Sequence, residues 1–305
     1  MLEQIGKGGN GQVYRACFGA EVAALKLLHK HDRVQRFRDE VSCMKRLVGT
    51  QGVLPVIDSY IPDAPTKMDP AWFVMPLATP LLEEIGDLAA PVEVVKAIRA
   101  FALVLASLHG KGFSHRDVKP DNLFKFGSDW VVGDFGLVDF DGKDHETALG
   151  ERIGPMHFIA PEMLLARQPE DGKAADVYSL AKTLWVLLTG FRSPVPGGYD
   201  AASPTCQLRS YVTLPHSIEL DRLIERCTTI EPLSRPTMEA FGEEVAEWLR
   251  MNDRNEQGAQ AVGPLAPGNE WAEVVEAASR QELARTAHAR LHNDTRATVD
   301  AFYAS

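Results

Sequence analysis

Two different hydrophobic periodicities divide the chain, and this division limits the folds that it can adopt. In the first 77 residues, short apolar or alternating runs predict strands at Gln12–Cys17, Glu21–Leu28 and Ala71–Leu77. An apolar residue at every third or fourth position predicts one helix over Arg33–Leu47. From Val92 onward the apolar residues keep a helical spacing over long segments. The sequence therefore predicts an α+β fold with two lobes, a small β-rich N-lobe with one helix and a larger, mainly α-helical C-lobe.

Helical spacing continues to about residue 250, where the composition changes. Helices are predicted at Val92–Leu108, Ala174–Gly190, Ile218–Cys227 and Met238–Met251. Residues 251–269 contain several glycines and prolines and predict a linker, and residues 270–305 predict a C-terminal helical tail. We therefore expect one bilobal domain over residues 1–250, with the N-lobe at about 1–77 and the C-lobe at about 78–250. The tail helix either packs on the C-lobe or binds a partner.

Charge and cysteine usage exclude several classes of protein. A net charge of −10 argues against a general binder of nucleic acid or of anionic membranes. The four cysteines are widely separated and show no C-x-x-C spacing, which favours free thiols over a disulfide framework or a zinc site. The N-terminus lacks the basic and apolar segments of a signal peptide, and the longest apolar-rich run, Ala97–Leu108, is too short to cross a bilayer. We expect a cytoplasmic protein without a membrane span.

Glycines cluster in a turn before the second predicted strand. The segment Ile5–Val13 has the spacing G-x-G-x-x-G-x-V. Without Cβ atoms, the backbone N–H groups of such a turn can come close to phosphate oxygens. A tight hairpin without a ligand is the alternative. A dinucleotide-binding fold requires a helix directly after the glycines, whereas Gln12–Cys17 predicts a strand.

A lysine ends the next apolar strand and has a natural partner on the predicted helix. Beside a glycine turn, Lys26 can reach phosphates as a point charge. Such a lysine needs an anion to hold it, and Glu40 lies on the helix with the apolar stripe. Either residue alone is more often a solvated surface residue, so only the combination indicates a function.

A dense polar loop, His115–Asn122, directly follows the long predicted helix. Phosphoryl transfer needs a carboxylate that orients the attacking hydroxyl, a cation near the γ-phosphate and an oxygen ligand for Mg²⁺. Asp117, Lys119 and Asn122 supply these groups within one short segment. Asp134 ends a later apolar strand in an Asp-Phe-Gly sequence and offers a second oxygen ligand suited to Mg²⁺. A plain surface loop would explain the polarity but not this order.

With these motifs in order, the chain resembles the eukaryotic-type protein kinase family, and the bacterial Ser/Thr protein kinases in particular, over about residues 1–250. Further matching elements are the hinge at Trp72–Ala78, the end of the activation segment at Ala160–Glu162, the start of the central C-lobe helix at Asp176, and Arg235 as the expected partner of Glu162. The resemblance implies a protein kinase fold, ATP and Mg²⁺ as cofactors, and proteins with Ser/Thr hydroxyls as substrates.

The resemblance also implies roles for the catalytic residues. Asp117 accepts or aims the proton of the substrate hydroxyl, and Lys119 offsets charge on the γ-phosphate. Lys26 pairs with the phosphates and with Glu40. The Lys119-Pro120 form of the loop is the form found in the Ser/Thr kinases of the family rather than in the Tyr kinases.

A larger set of residues is implied to bind the nucleotide: Ile5, Gly6, Lys7, Gly8, Gly11, Val13, Ala24, Lys26, Met75, Pro76, Ala78 and Leu123. Within this set Met75 is the gatekeeper, and the Pro76 carbonyl and the Ala78 N–H bind the edge of the adenine. Asn122 and Asp134 are implied to hold Mg²⁺.

Two positions bear on substrate class and regulation. Pro155 stands where Ser/Thr kinases of the family usually carry a Thr whose hydroxyl bridges the catalytic Asp and Lys, which weakens the assignment to Ser/Thr substrates.

Thr147 is the only hydroxyl side chain between Gly136 and Ala160. Autophosphorylation of Thr147, with Arg116 pairing the phosphate, would order the activation segment, and a merely solvated Thr147 is the alternative.

Two further activities compete with an active Ser/Thr protein kinase that also phosphorylates itself. A pseudokinase that acts as a nucleotide-binding scaffold would carry a lesion among its catalytic residues, and the sequence retains Lys26, Asp117, Asn122 and Asp134. A small-molecule kinase is disfavoured by the complete Ala-Pro-Glu sequence and by Arg235, which shape a platform for protein substrates.

Overall fold

The computed structural model of the chain describes residues 3–7, 11–18, 21–86, 89–140, 157–165 and 172–261. Several sequence predictions fall outside these ranges: Gly8 of the glycine turn, Thr147, Pro155 and the tail at 270–305.

Five antiparallel strands form the N-terminal sheet in the order β1-β2-β3-β5-β4. Their bounds are Glu3–Lys7 for β1, Gly11–Phe18 for β2, Glu21–Leu28 for β3, Asp58–Tyr60 for β4 and Trp72–Pro76 for β5. Strands β2, β3 and β5 confirm the strands predicted from the apolar runs. The sequence did not predict β4, because a strand of three residues is too short to show a period.

Helix α1 (Val34–Arg46) turns its apolar stripe inward, as its spacing predicts. Phe37 is fully buried, and its ring centroid lies 5.3 Å from that of Phe73 in β5. Glu40 lies among the buried residues of the same helix and is 1% exposed. Since burying a carboxylate is unfavourable unless it is paired, Glu40 requires a cationic partner in the N-lobe.

Helices dominate the second part of the domain. Their bounds are Leu81–Ile85 for α2, Pro91–Gly110 for α3, Pro161–Leu165 for α4, Gly172–Thr189 for α5, Ser217–Cys227 for α6 and Met238–Ala261 for α7. The two long helices α3 and α5 contact each other. Ile98 and Phe101 of α3 and Leu184 of α5 are fully buried, and burial of each such side chain contributes about 1.5–3 kcal/mol. The C-lobe core therefore forms around these helices.

Two small sheets carry the polar segments. Strands β6 (Thr79–Pro80), β8 (Leu123–Phe126) and β9 (Asp129–Val132) form one, and β7 (Phe113–Ser114) pairs with β10 (Asp139–Phe140) in the other. The polar loop His115–Asn122, called the catalytic loop below, connects β7 to β8. Asp134 lies between β9 and β10, so the strand pairings bring the two polar segments together.

A buried ion pair confirms the expected partnership of Arg235 and Glu162. The two terminal guanidinium nitrogens of Arg235, Nη1 and Nη2, lie 2.5 and 2.8 Å from the two carboxylate oxygens of Glu162. The two side chains are 0% and 7% exposed. This forked geometry connects α4 to the segment before α7, and Arg235 also donates to the carbonyls of Ala174 and Ile230.

Helix α7 continues to Ala261 and so extends past residue 251, where the linker is predicted to begin. The extra turns contain one glycine, Gly258, and a single glycine costs a helix about 1 kcal/mol without ending it. A compact unit ends at Arg250. Among the described residues, no helix combines the length and apolarity that crossing a bilayer requires.

Candidate active site

A buried carboxylate of α5 holds the start of the catalytic loop. Asp176 is fully buried and accepts hydrogen bonds from the backbone N–H groups of His115 and Arg116, each at 2.7 Å. His109 of α3 approaches the same carboxylate with its Nε2 at 2.9 Å. Arg116 has a φ of 66°, a left-handed conformation that costs a non-glycine residue about 1–3 kcal/mol. Asp176 thus stabilises a strained turn directly before Asp117.

The three predicted polar residues of the catalytic loop meet at one carboxylate. The Lys119 ammonium lies 2.9 Å from Oδ1 and 2.7 Å from Oδ2 of Asp117. The Asn122 amide nitrogen donates to the Asp117 carbonyl at 2.7 Å and to its Oδ2 at 2.8 Å. Burial raises the pKa of Asp117 above its ordinary value, although the charge of Lys119 opposes this shift. The carboxylate is therefore fixed in direction and is a stronger base than a solvated Asp.

Lys26 binds two carboxylates that are far apart in sequence. Its Nζ lies 2.6 Å from Glu40 Oε1 of α1 and 3.0 Å from Asp134 Oδ1. Burial opposes the positive charge of Lys26, but Asp134 and Glu40 outweigh burial and raise the pKa of Lys26 above its ordinary range. Burial likewise opposes the negative charge of Asp134, yet Lys26 lowers the pKa of Asp134 to about 2. At neutral pH the ammonium and the Asp134 carboxylate are both charged.

The Asp-Phe-Gly segment is fixed on several sides. Asp134 has a φ of 59°, and the Phe135 ring next to it is fully buried at 5.1 Å from the His115 ring. His115 Nε2 donates to the Gly133 carbonyl at 2.9 Å. Arg36 of α1 donates from Nε to the Gly136 carbonyl at 2.6 Å. The orientation of Asp134 therefore depends on contacts from both α1 and the catalytic loop.

Sequence reasoning missed two of these supporting residues. Arg36 precedes Glu40 by one helical turn, so both belong to one face of α1, and this spacing is the signal that could have identified it. The sequence predicts Asp176 only as the start of the central C-lobe helix and gives no sign of its contacts with the catalytic loop. The partners of Arg36 and Asp176 do not follow from the local sequence, because each contact joins residues about 60 or 100 positions apart.

The glycine turn is described only in part. Ile5 and Lys7 are exposed residues of β1, and Gly6 lies opposite Val13 of β2. A β-bulge or similar irregularity interrupts the pairing between Gln4 and Gly6. These four predicted nucleotide-binding residues therefore border one turn, as the spacing of the motif requires.

Gly11 has a structural role of its own. A Cβ on this residue would lie 2.5 Å from the Leu27 carbonyl oxygen, closer than any real side chain can approach. Strand packing alone therefore requires glycine at position 11, whatever the turn binds.

The remaining predicted nucleotide-binding residues lie along β3, β5 and β8. Ala24 is buried in β3 opposite Met75 of β5. Pro76 ends β5, and Ala78 is half-buried in the segment that leads to β6. Leu123 begins β8 directly after the catalytic loop and is 1% exposed. Strand register thus places the small Ala24 next to the expected gatekeeper.

The donor set fits a divalent cation. Asp134 is a carboxylate whose pKa of about 2 keeps it ionised at neutral pH. The amide nitrogen of Asn122 is bound to Asp117, so the amide oxygen is the atom that it can offer to a cation. A carboxylate and an amide oxygen are hard ligands of the kind that Mg²⁺ prefers. Asn122 and Asp134 therefore suit Mg²⁺.

Comparisons with known proteins agree with this geometry. The protein kinase domain family matches residues 1–245. Over 298 residues the chain is 30% identical to the serine/threonine-protein kinase Pkn1 of Myxococcus xanthus, an alignment of 88% of this chain and 42% of the relative. It is 26% identical over 298 residues to the serine/threonine-protein kinase PknE of Mycobacterium tuberculosis, with 88% and 51% covered. It is 29% identical over 274 residues to PknK of Mycobacterium bovis, with 82% and 24% covered. The chain thus spans about half the length of these curated relatives or less, and it belongs to the protein kinase domain family.

Proposed function

We propose that this chain is an ATP- and Mg²⁺-dependent protein kinase that transfers the γ-phosphoryl group to Ser/Thr hydroxyls of protein substrates and of itself. One observation carries the proposal. Lys26 contacts Glu40 and Asp134 at 2.6 and 3.0 Å, and protein kinases need this lysine–glutamate pair and the metal-binding aspartate in place together. A pseudokinase has no such need.

Asp117 is the residue that receives the substrate hydroxyl. Its carboxylate aims the hydroxyl and takes up the proton while the oxygen–phosphorus bond forms and the bond from the γ-phosphorus to the leaving ADP oxygen breaks. Lys119 contacts the same carboxylate at 2.7 Å, which places a positive charge where the γ-phosphate carries its negative charge. The reacting groups are thus held together before substrate binds.

The ATP phosphates and their metal ion have a separate set of partners, which comprises Lys26, Asn122 and Asp134. Lys26 pairs with the phosphates of ATP, and Glu40 keeps its ammonium in position. Asn122 and Asp134 would hold Mg²⁺, which would offset the negative charge that develops on the leaving ADP. Val13, Ala24 and Leu123 would flank the faces of the adenine. The Pro76 carbonyl and the Ala78 N–H would bind its edge.

The Ser/Thr preference has two supports. The Lys119-Pro120 sequence follows the Ser/Thr pattern, and the relatives Pkn1 and PknE are named serine/threonine-protein kinases. Pro155 lies outside the described residues, so its bearing on this preference rests on sequence. Phosphoamino-acid analysis of the labelled products measures the preference directly.

The catalytic domain comprises residues 1–250, since a compact unit ends at Arg250 and the family match ends at residue 245. Residues 251–269 form a linker, into which α7 extends as far as Ala261. The tail at 270–305 is a candidate segment for binding a partner. Free thiols, including the buried Cys43 and Cys227, suit a reducing compartment and a cytoplasmic location.

The test is transfer of labelled phosphate from ATP with Mg²⁺ to a generic protein substrate. Asp117→Asn should lower the rate about 10²–10⁴-fold, because it removes the group that orients and deprotonates the hydroxyl. Asp129→Asn is the matched control, since Asp129 is an exposed residue of β9. Thermal unfolding of each variant verifies the fold. Equal labelling by the wild type and Asp117→Asn, or none by the wild type, would contradict kinase activity.

A further inference from the structure

Arg116 of the catalytic loop already has an acidic partner. Its Nη2 lies 2.6 Å from Oδ2 of Asp139, and the two side chains are 9% and 38% exposed. A distance this short between a guanidinium and a carboxylate is typical of a charge-assisted hydrogen bond. Asp139 belongs to β10, beyond the Asp-Phe-Gly segment, so the contact joins two separate parts of the proposed site.

Backbone pairing fixes this contact. β10 runs antiparallel to β7, with Asp139 opposite Ser114 and Phe140 opposite Phe113. The Arg46 guanidinium of α1 lies 4.6 Å from the Phe140 ring centroid, which stabilises the same short strand by a cation–π contact. The sheet register therefore places Asp139 beside the start of the catalytic loop, which carries Arg116.

The start of helix α5 packs against Arg116. A Cβ added to Gly172 would lie 2.7 Å from Arg116 Nε and 2.3 Å from the Ser114 hydroxyl. A side chain at position 172 would therefore require Ser114 and Arg116 to move, and the Arg116 side chain is largely enclosed at 9% exposed. An enclosed guanidinium needs a nearby anion, because a buried unpaired charge is strongly unfavourable.

The Arg116–Asp139 ion pair joins the two chain segments that carry the functional carboxylates of Asp117 and Asp134. Arg116 immediately precedes Asp117, and the segment from Asp134 to Asp139 is held at three points along its length. Lys26 holds Asp134, Arg36 holds the Gly136 carbonyl, and Arg116 holds Asp139. Displacing Asp139 would release one end of the segment that carries Asp134.

We propose that Asp139 is a positioning residue that supplies the anion for Arg116, so that this part of the activation segment is ordered without a phosphate. The proposal rests on the proposed kinase function. A phosphate typically orders such a segment by pairing with arginine. Here the carboxylate of Asp139 takes that place, and a phosphate at the same guanidinium would add a charge of about −1.5 to −2 beside an existing negative charge. If a phosphate on Thr147 supplied the anion for Arg116 instead, removing that phosphate would lower kcat.

The experiment uses the full chain, freed of phosphate by a phosphatase and verified by intact mass. The phosphate-free wild type should retain the kcat of the untreated protein. Asp139→Asn should lower kcat about 10- to 100-fold, as expected when a catalytic group is misplaced by about an ångström, with little change in KM for ATP. Asp139→Glu, which keeps the charge, should recover much of the loss. Thr147→Val is the matched control and should behave as the wild type.

A second measurement does not depend on activity. Amide hydrogen exchange of residues 136–140 should be slow in the phosphate-free wild type and faster in Asp139→Asn, while exchange in α3 stays unchanged in both. If the wild type transfers no phosphate, the proposed function fails, and the exchange rates still report on Asp139. Loss of activity after phosphatase treatment and in Thr147→Val, or unchanged kcat and exchange in Asp139→Asn, would overturn the proposal.

Discussion

Lys26 Nζ lies 3.0 Å from Asp134 Oδ1, although the two residues are 108 positions apart. The ammonium comes from β3 of the N-terminal sheet, and the carboxylate comes from the segment after β9. This single contact joins the glycine-turn side of the proposed nucleotide site to the metal side. Glu40 shares the same ammonium at 2.6 Å, so loss of Lys26 would leave two neighbouring carboxylates without their cation.

Lys26→Met should lower kcat about 10²–10³-fold, which is the typical effect of removing one electrostatic contact to a reacting phosphate or oxyanion. Initial rates of labelled phosphate transfer measure this effect. Lys111→Met serves as the control, because Lys111 is an exposed residue after α3, and its rate should match the wild type. A Lys26→Met rate within error of the Lys111→Met rate would contradict the assigned role.

The rate should fall as the pH is lowered through the titration of Asp117, at a pH above the ordinary range of an Asp. Burial raises the pKa of Asp117, and only its ionised form can accept the hydroxyl proton. Asp134 has a pKa of about 2, so its carboxylate stays ionised and does not cause this decline. A profile of kcat against pH, at saturating ATP and constant ionic strength, measures the midpoint. The same acid decline in the residual activity of Asp117→Asn would assign it to another group.

Arg235→Leu should destabilise the domain by about 3–5 kcal/mol, because it leaves the Glu162 carboxylate buried without its partner. Arg235→Lys should recover only part of this loss, since a single ammonium cannot reproduce the two parallel hydrogen bonds of the guanidinium. Urea unfolding gives the free energies. The exposed pair of Arg250 with Glu247 provides the control, and Arg250→Ala should change the stability by about 0.5 kcal/mol or less.

Lys182 of α5 should make stability depend on pH at alkaline values. It is fully buried and donates to the Val195 carbonyl at 2.7 Å, and burial lowers the pKa of Lys182 to about 8. Between pH 8 and an ordinary lysine pKa of about 10.4, the unfolded chain binds more protons than the folded chain, so the free energy of unfolding rises with pH.

The comparison with Lys182→Met isolates this contribution. The stability of the wild type relative to Lys182→Met should increase by about 2–3 kcal/mol between pH 7 and pH 10, and urea unfolding at each pH measures the difference. Other titrating groups cancel in the comparison because both proteins contain them. A difference that stays constant over this range would show that Lys182 is not held in an environment that disfavours its charge.

Local patterns predicted the elements whose residues are numerous enough to show a period. The stripes of α1 and α3 and the apolar runs of β2, β3 and β5 all correspond to observed elements, because burial of one face imposes the spacing. Strand β4, with three residues, gave no such signal. The glycine and proline content after residue 251 predicts a linker there, and α7 extends into this segment to Ala261 because one glycine does not outweigh the helix-forming residues around it.

The sequence by itself determined which chemical groups this protein has and in what order: a glycine turn, Lys26, Glu40, the catalytic loop and Asp134. That order was enough to indicate phosphoryl transfer, because each step of the chemistry requires a particular residue type. Only the tertiary structure decided which groups hold these residues in place. Asp176 accepts hydrogen bonds from the catalytic loop, Arg36 donates to the Gly136 carbonyl, and Asp139 pairs with Arg116. Those contacts join positions that are distant in sequence, and their partners depend on strand register and helix packing, which no local spacing specifies.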